Sequence, residues 1–224
     1  LSSNADTFDA SDLVALPGFV DAHTHLLFAG SREHEFALRA EGVDYQQIAT
    51  QGGGILHTVA TTRSATKKDL KKVAAKRLDA MMKHGTTTAE IKSGYGLDSE
   101  TEFRMLEAIK ELADEHFITV VPTFLGAHAI PPEFRSDPDG YVTLICETML
   151  PYVARKKLAM FCDVFCERGY FSVEQSKRVL EKAATLGLRL KVHADELSAS
   201  GGSLLAAELK AVSVDHLEHI DERG

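Results

Sequence analysis

Short runs that are apolar at nearly every position alternate along the chain with longer runs in which apolar residues recur every three or four positions. The short runs lie around 18–25, 86–92, 117–124, 160–166, 188–193 and 212–216. They are rich in Val, Ile, Phe and Thr, and near-continuous apolarity marks parallel strands covered on both faces. The longer runs predict amphipathic helices. Leu70, Val73, Ala74, Leu78, Met81 and Met82 share one helical face, which sets the lysines of "KKDLKKVAAKR" (67–77) on the opposite, wet face. "SETE" (99–102) and "SVEQ" (172–175) both fit a capping box, with Ser99 and Ser172 as the capping hydroxyls. Phe103, Leu106, Ile109 and Leu112 then form an apolar stripe. Gly85 and Gly187 stand where helices stop, and Pro151 is expected to kink or break the run 141–157.

Six strands with intervening helices predict a parallel α/β architecture, an open sheet or a barrel. The glycine-containing stretches "QGGGI" (51–55) and "SGYGLD" (93–98) follow the first two strands, where a (β/α)8 barrel builds its active face. Neither has the pattern of a phosphate-binding loop. A closed barrel of that type needs about eight strands, and six are visible here.

Composition narrows the possible partners. The 224 residues are 44% hydrophobic, enough for one sizeable core. A formal net charge of −8 disfavours nucleic acid and anionic membrane surfaces as partners. No apolar run reaches the length of a membrane span, and the polar N-terminus is unlike a signal peptide. Cys146, Cys162 and Cys166 form no zinc-type doublet and suggest reduced thiols in a cytoplasmic protein. Cys162 and Cys166 flank the fourth strand and read as buried structural thiols.

The chemistry gathers on histidines. His23 and His25 sit at i and i+2 on a strand end, so their imidazoles share one side and suit a single metal ion. Two histidines on a polar loop would look the same. Asp21 is placed to orient one of the rings. His193, with Glu196 three residues on, ends the fifth strand, and His216 ends the sixth. Histidines recurring at C-terminal strand ends converge on one barrel mouth. His34, His57, His84, His116 and His219 need only surface or packing roles.

With those residues in view, the chain resembles the metal-dependent amidohydrolase superfamily. "HTHLLFAGSR" (23–32), "GGGI" (52–55), "EIKSGYGL" (90–97), "GAHAIPPEFR" (126–135), "DVFCE" (163–167), "HADELS" (193–198) and "SVDHLE" (213–218) closely resemble the imidazolonepropionase family in particular. The resemblance implies a TIM-like (β/α)8 barrel, of which this chain covers about six of the eight βα units. It implies hydrolysis of the cyclic amide C–N bond of 4-imidazolone-5-propanoate to N-formimino-L-glutamate, in histidine degradation. One Zn2+ or Fe ion would be held by His23, His25 and His193. Arg32, Tyr95, His128 and Glu196 would contact substrate, and Glu196 and His216 would be catalytic. A homodimer is implied as well. Residue chemistry agrees: Arg32 offers a planar fork for a propionate, and a bound ion would ionise water near neutral pH. The fourth strand ends in "DVFCERG" without a lysine, which disfavours a carbamylated-lysine dinuclear site.

The family's fourth ligand, an aspartate after strand eight, has no counterpart here; Asp215 and Asp221 follow the wrong strand. Residues 1–16 are expected to be a remnant of, or connection from, a small flanking β-domain, and 17–224 an incomplete barrel. Two other readings stay open: a truncated, non-catalytic metal-binding fragment, and a related amidohydrolase resembling cytosine deaminase.

Overall fold

The computed structural model describes residues 7–43 and 53–224. Six strands form one sheet in the order β1-β2-β3-β4-β5-β6, and every neighbouring pair is parallel. They are β1 (Phe19–Thr24), β2 (Thr86–Lys92), β3 (Thr119–Ala127), β4 (Phe161–Cys166), β5 (Arg189–Ala194) and β6 (Ser213–His216). All six predicted strands are present. The third lies further along than its apolar run suggested, leaving Phe117 exposed and continuing to Ala127. The sheet curls like a barrel wall, so side chains of its first and last strands meet: His23 on β1 touches Asp215 on β6 at 2.9 Å.

Helices cover the outer face: α1 (Glu33–Ala40), α2 (Ile55–Ser64), α3 (Lys67–Lys83), α4 (Ser99–Glu115), α5 (Pro138–Leu144), α6 (Leu150–Lys156), α7 (Val173–Thr185) and α8 (Gly202–Glu208). α3 buries Leu70, Ala74 and Leu78. Its lysines run along the wet side, where Lys67 and Lys71 pair with Glu107, Glu111 and Glu115 of α4. Met82 belongs to the exposed surface instead of the apolar face. Gly85 and Gly187 end helices with φ of 93° and 85°, a conformation that favours glycine.

Helix punctuation departs from expectation at one cap. α7 has its full capping box, Ser172 with Gln175. On α4 the cap is Asp98, which accepts from the Thr101 N–H at 2.7 Å; Ser99 is already helical and Glu102 faces elsewhere. A carboxylate one residue upstream won the position from the hydroxyl. Pro151 stands inside a run that is helical from Pro138 to Lys156, and a wide π-helical turn (Ile145–Met149) interrupts the α-helix just before it, so the proline distorts the run without ending it. Among the described residues, no helix is long and apolar enough to cross a membrane.

Candidate functional site

The C-terminal ends of the strands open onto a cavity of about 490 Å3. His25 and His193 line it, and with His23 beside them the ring nitrogens of three histidines converge. His23 Nε2 lies 3.2 Å from His25 Nε2, which lies 3.2 Å from His193 Nε2. The i, i+2 spacing across the end of β1, with His23 in the strand and His25 just past it, supplies the first two, and the end of β5 supplies the third. Carboxylates hold the far side of two rings. His23 Nδ1 is 2.9 Å from Asp215, and His193 Nδ1 is 3.0 Å from Asp163. With carboxylate acceptors there, each Nδ1 carries the hydrogen and each Nε2 turns a lone pair to the common centre. His25 Nδ1 is buried with no hydrogen-bond partner among the described residues. Burial first, then the neighbouring rings, pushes the His25 pKa well below its ordinary value, so its ring is neutral.

This arrangement fits a metal ion. Two imidazole nitrogens bound to one Zn2+ at about 2.0–2.1 Å stand roughly 3–3.5 Å apart, and the separations here fall in that range. Asp21 does not take the orienting role expected of it. Its carboxylate only approaches the backbone N–H of His23 at 3.4 Å, and the ring partner is Asp215, across the curl of the sheet.

Behind the histidines the interior is charged. Lys92, at the end of β2, is fully buried; its Nζ lies 2.9 Å from Glu90, 2.7 Å from Asp163 and 3.9 Å from Asp215. Lys191 Nζ is 3.6 Å from Asp215 and donates to the Ala22 carbonyl at 3.2 Å. Burial would raise the Asp163 carboxyl, but His193 and Lys92 outweigh it and hold the group far below the usual carboxylate range. Burial likewise opposes the charge on Lys92, yet Asp163 and Glu90 raise its pKa overall. Lys92, Glu90, Asp163 and Asp215 were not singled out for this setting by sequence reasoning. The available signal was a charged residue within an otherwise apolar strand, as in "FCDVFC" and "AEIK".

The other predicted residues line the cavity. His128 stacks on His25 with ring centres 4.9 Å apart, and its Nδ1 donates to the Gly94 carbonyl at 2.8 Å. Tyr95 sits edge-on to His128 at 5.2 Å. Arg32 opens α1 and shares the cavity with Glu196 and His216; among the described residues its ion pair is with Glu35, long at 3.9 Å. Glu196 is 3.5 Å from His216 Nε2. His216 and Leu217 both adopt positive φ, 84° and 71°, a strained turn at the mouth.

Buried carboxylates shape the loops that carry these groups. Glu102 reaches back from α4 to accept N–H bonds from Gly94, Gly96 and Leu97 at 2.8–3.1 Å, fixing the backbone on both sides of Tyr95. Burial pushes its carboxyl up against the pull of those donors. A Cβ at Gly94 would come within 2.9 Å of the Leu125 carbonyl and 3.0 Å of His128, so only glycine fits there. Glu167 accepts from the backbone of Leu197 and Ser198, next to Glu196. Of the "QGGGI" stretch, Gln51 and Gly52 lie outside the described residues, and the Gly54 N–H bonds Glu35 at 2.8 Å. All three cysteines are buried and unpaired, with thiols pushed up by burial. His116 is a packing residue, linking Asp79 to the Ile118 N–H.

Residues 14–223 match the model of the amidohydrolase family. The chain is 53% identical over 222 residues to the imidazolonepropionase of Thermoanaerobacter pseudethanolicus, covering 99% of this chain and 54% of that protein. It spans about half the length of the curated relatives it matches. Among solved structures, it resembles 5-methylcytosine deaminase from Klebsiella pneumoniae (TM-score 0.66, 18% identity, 93% of this chain and 47% of that one). It also resembles an amidohydrolase from Burkhoderia ambifaria with bound Zn (TM-score 0.59, 20% identity, 90% and 58%). Those two likenesses concern the fold.

Proposed function

Because the chain belongs to the amidohydrolase family, we propose that it supplies the first six βα units of a metal-dependent hydrolase that opens 4-imidazolone-5-propanoate to N-formimino-L-glutamate. The observation that carries the reading is the meeting of three Nε2 atoms at the cavity that His25 and His193 line together with Arg32, Tyr95, His128, Glu196 and His216. The 53% identity to an imidazolonepropionase supports the choice of substrate.

In this reading His23, His25 and His193 hold one Zn2+ or Fe ion. When bound, it supplies Lewis acidity and brings the pKa of a water toward about 7. One ion suits the charge of the surroundings. The donor atoms of Asp163, His193 and Asp215 also cluster within 4.8 Å, but there the Lys92 ammonium already provides the positive charge. Glu196 accepts a proton from the attacking water and returns it to the departing ring nitrogen. His216 donates to the carbonyl oxygen as negative charge builds on it. Arg32 grips the propionate, helped by the weakness of its pairing with Glu35. Tyr95 and His128 wall the ring, and the His128 bond to Gly94 fixes that ring's orientation.

Arg32→Ala in the intact enzyme is expected to raise KM at least tenfold and leave metal content unchanged. Steady-state kinetics beside metal analysis provide the check. An unaltered KM would remove Arg32 from the propionate site.

A further inference from the structure

The interior of the curled sheet holds two buried ammonium groups among three carboxylates, where a barrel ordinarily stacks branched apolar side chains. A buried charge is tolerated only when paired and hydrogen-bonded. Lys92 meets that condition, and its two nearest partners lead to different halves of the histidine cluster. One is Asp163, 2.7 Å away, whose carboxylate also receives His193 Nδ1 at 3.0 Å. The other is Glu90, 2.9 Å away through Oε1. Its second oxygen accepts the backbone N–H of Thr24 at 3.3 Å, and the Thr24 hydroxyl donates to the Glu90 carbonyl at 2.6 Å. Thr24 is the residue between His23 and His25.

From this we infer that Lys92 is a positioning residue for the metal: its ammonium clamps Glu90 and Asp163, and so holds the His-Thr-His end of β1 in register with His193 on β5. Without the ammonium, two carboxylates would face each other in a closed interior with no counter-charge. Each would turn away from the other, and each supports a different part of the donor set. Lys191 does not stand in for it. That ammonium reaches Asp215 and the Ala22 carbonyl, and its contacts include neither Glu90 nor Asp163. The inference rests on the three-histidine reading above.

The test is a Co2+ titration of the intact protein against a competing chelator, followed by the visible absorption of the bound ion. Lys92→Met keeps the length of the side chain and removes its charge. Affinity is expected to fall by about 10–100-fold, the range for loss of a ligand's supporting partner, and the Co2+ bands are expected to shift as His193 is released. A variant that is only less stable, with unchanged affinity and spectrum, overturns the inference. Should Lys92→Met not fold, the charge-balanced Glu90→Gln/Lys92→Met variant is read against Glu90→Gln alone. Weaker binding in the double variant supports the inference through the Asp163 arm, and equal binding overturns it. No tight ion in the unaltered protein, or one indifferent to His23→Ala, would overturn the three-histidine reading itself and the inference with it.

Discussion

Burial, followed by the charge of His193, lowers the pKa of His128 to about 4, against the smaller upward pull of its bond to the Gly94 carbonyl. A free histidine titrates near 6.5. Between those values the unfolded chain binds a proton that the folded chain refuses, so stability falls as pH drops from about 6.5 toward 4 and no further below. With the ring partly exposed, the contribution is about 2 kcal/mol. His128→Asn keeps a donor for Gly94 and removes the titration. In the metal-free protein, denaturant midpoints measured from pH 7 to 4 should fall less steeply for this variant than for the parent. Parallel slopes would show that the ring is not held neutral. The cavity wall thus carries a hydrogen-bonding group that keeps one protonation state across the neutral range.

Among the elements, the strands were the most legible. β4 is buried at every position and β5 at all but its first, and a strand covered on both faces announces itself as a largely apolar run, broken here only by Asp163 in β4 and by Lys191 and His193 within β5. His23, His25, His193 and His216 were legible because chemistry gathers at C-terminal strand ends. Their supports were not. Asp163 and Lys92 pair across 71 residues of sequence, and no local pattern records such a contact. Glu102 misled in a specific way: it occupies the third place of an apparent capping box while its carboxylate serves the Gly94–Leu97 backbone. Two substitutions separate the roles. Ser99→Ala should change stability by less than about 0.5 kcal/mol, because Asp98 is the cap. Glu102→Ala strands three buried N–H groups and should cost about 3 kcal/mol or more. Chemical denaturation of both variants decides, and a mild Glu102→Ala would mean the loop stands without its carboxylate. If the loop loosens, the expected kinetic trace is a raised KM through Tyr95 with metal affinity intact.

For the molecule as a whole, the candidate site is also a closure. Among the described residues β1 pairs only with β2, and β6 only with β5, so the sheet's two outer strands are not hydrogen-bonded to each other. The ties from β1 to the far end of the sheet run through the interior: His23 to Asp215 on β6, and Lys191 on β5 to the Ala22 carbonyl. A metal held by His23 and His25 at the end of β1 and by His193 on β5 would add a third tie, between strands four places apart in the sheet. Since the unfolded chain does not assemble those nitrogens, binding should appear directly as stability, about 2.7 kcal/mol when free metal exceeds Kd a hundredfold. For a domain of this size that corresponds to a rise in Tm of about 5–10 °C. The comparison is between chelator-stripped and Zn2+-loaded protein, with His193→Ala as the control that should respond little to zinc. If stripped and loaded samples melt together, the three histidines do not bridge the sheet. If the His193→Ala protein gains as much as the parent, the ion sits elsewhere. The expected pattern, a shift in the parent that the control lacks, would tie the residues proposed for catalysis to the ones that hold the curled sheet in shape.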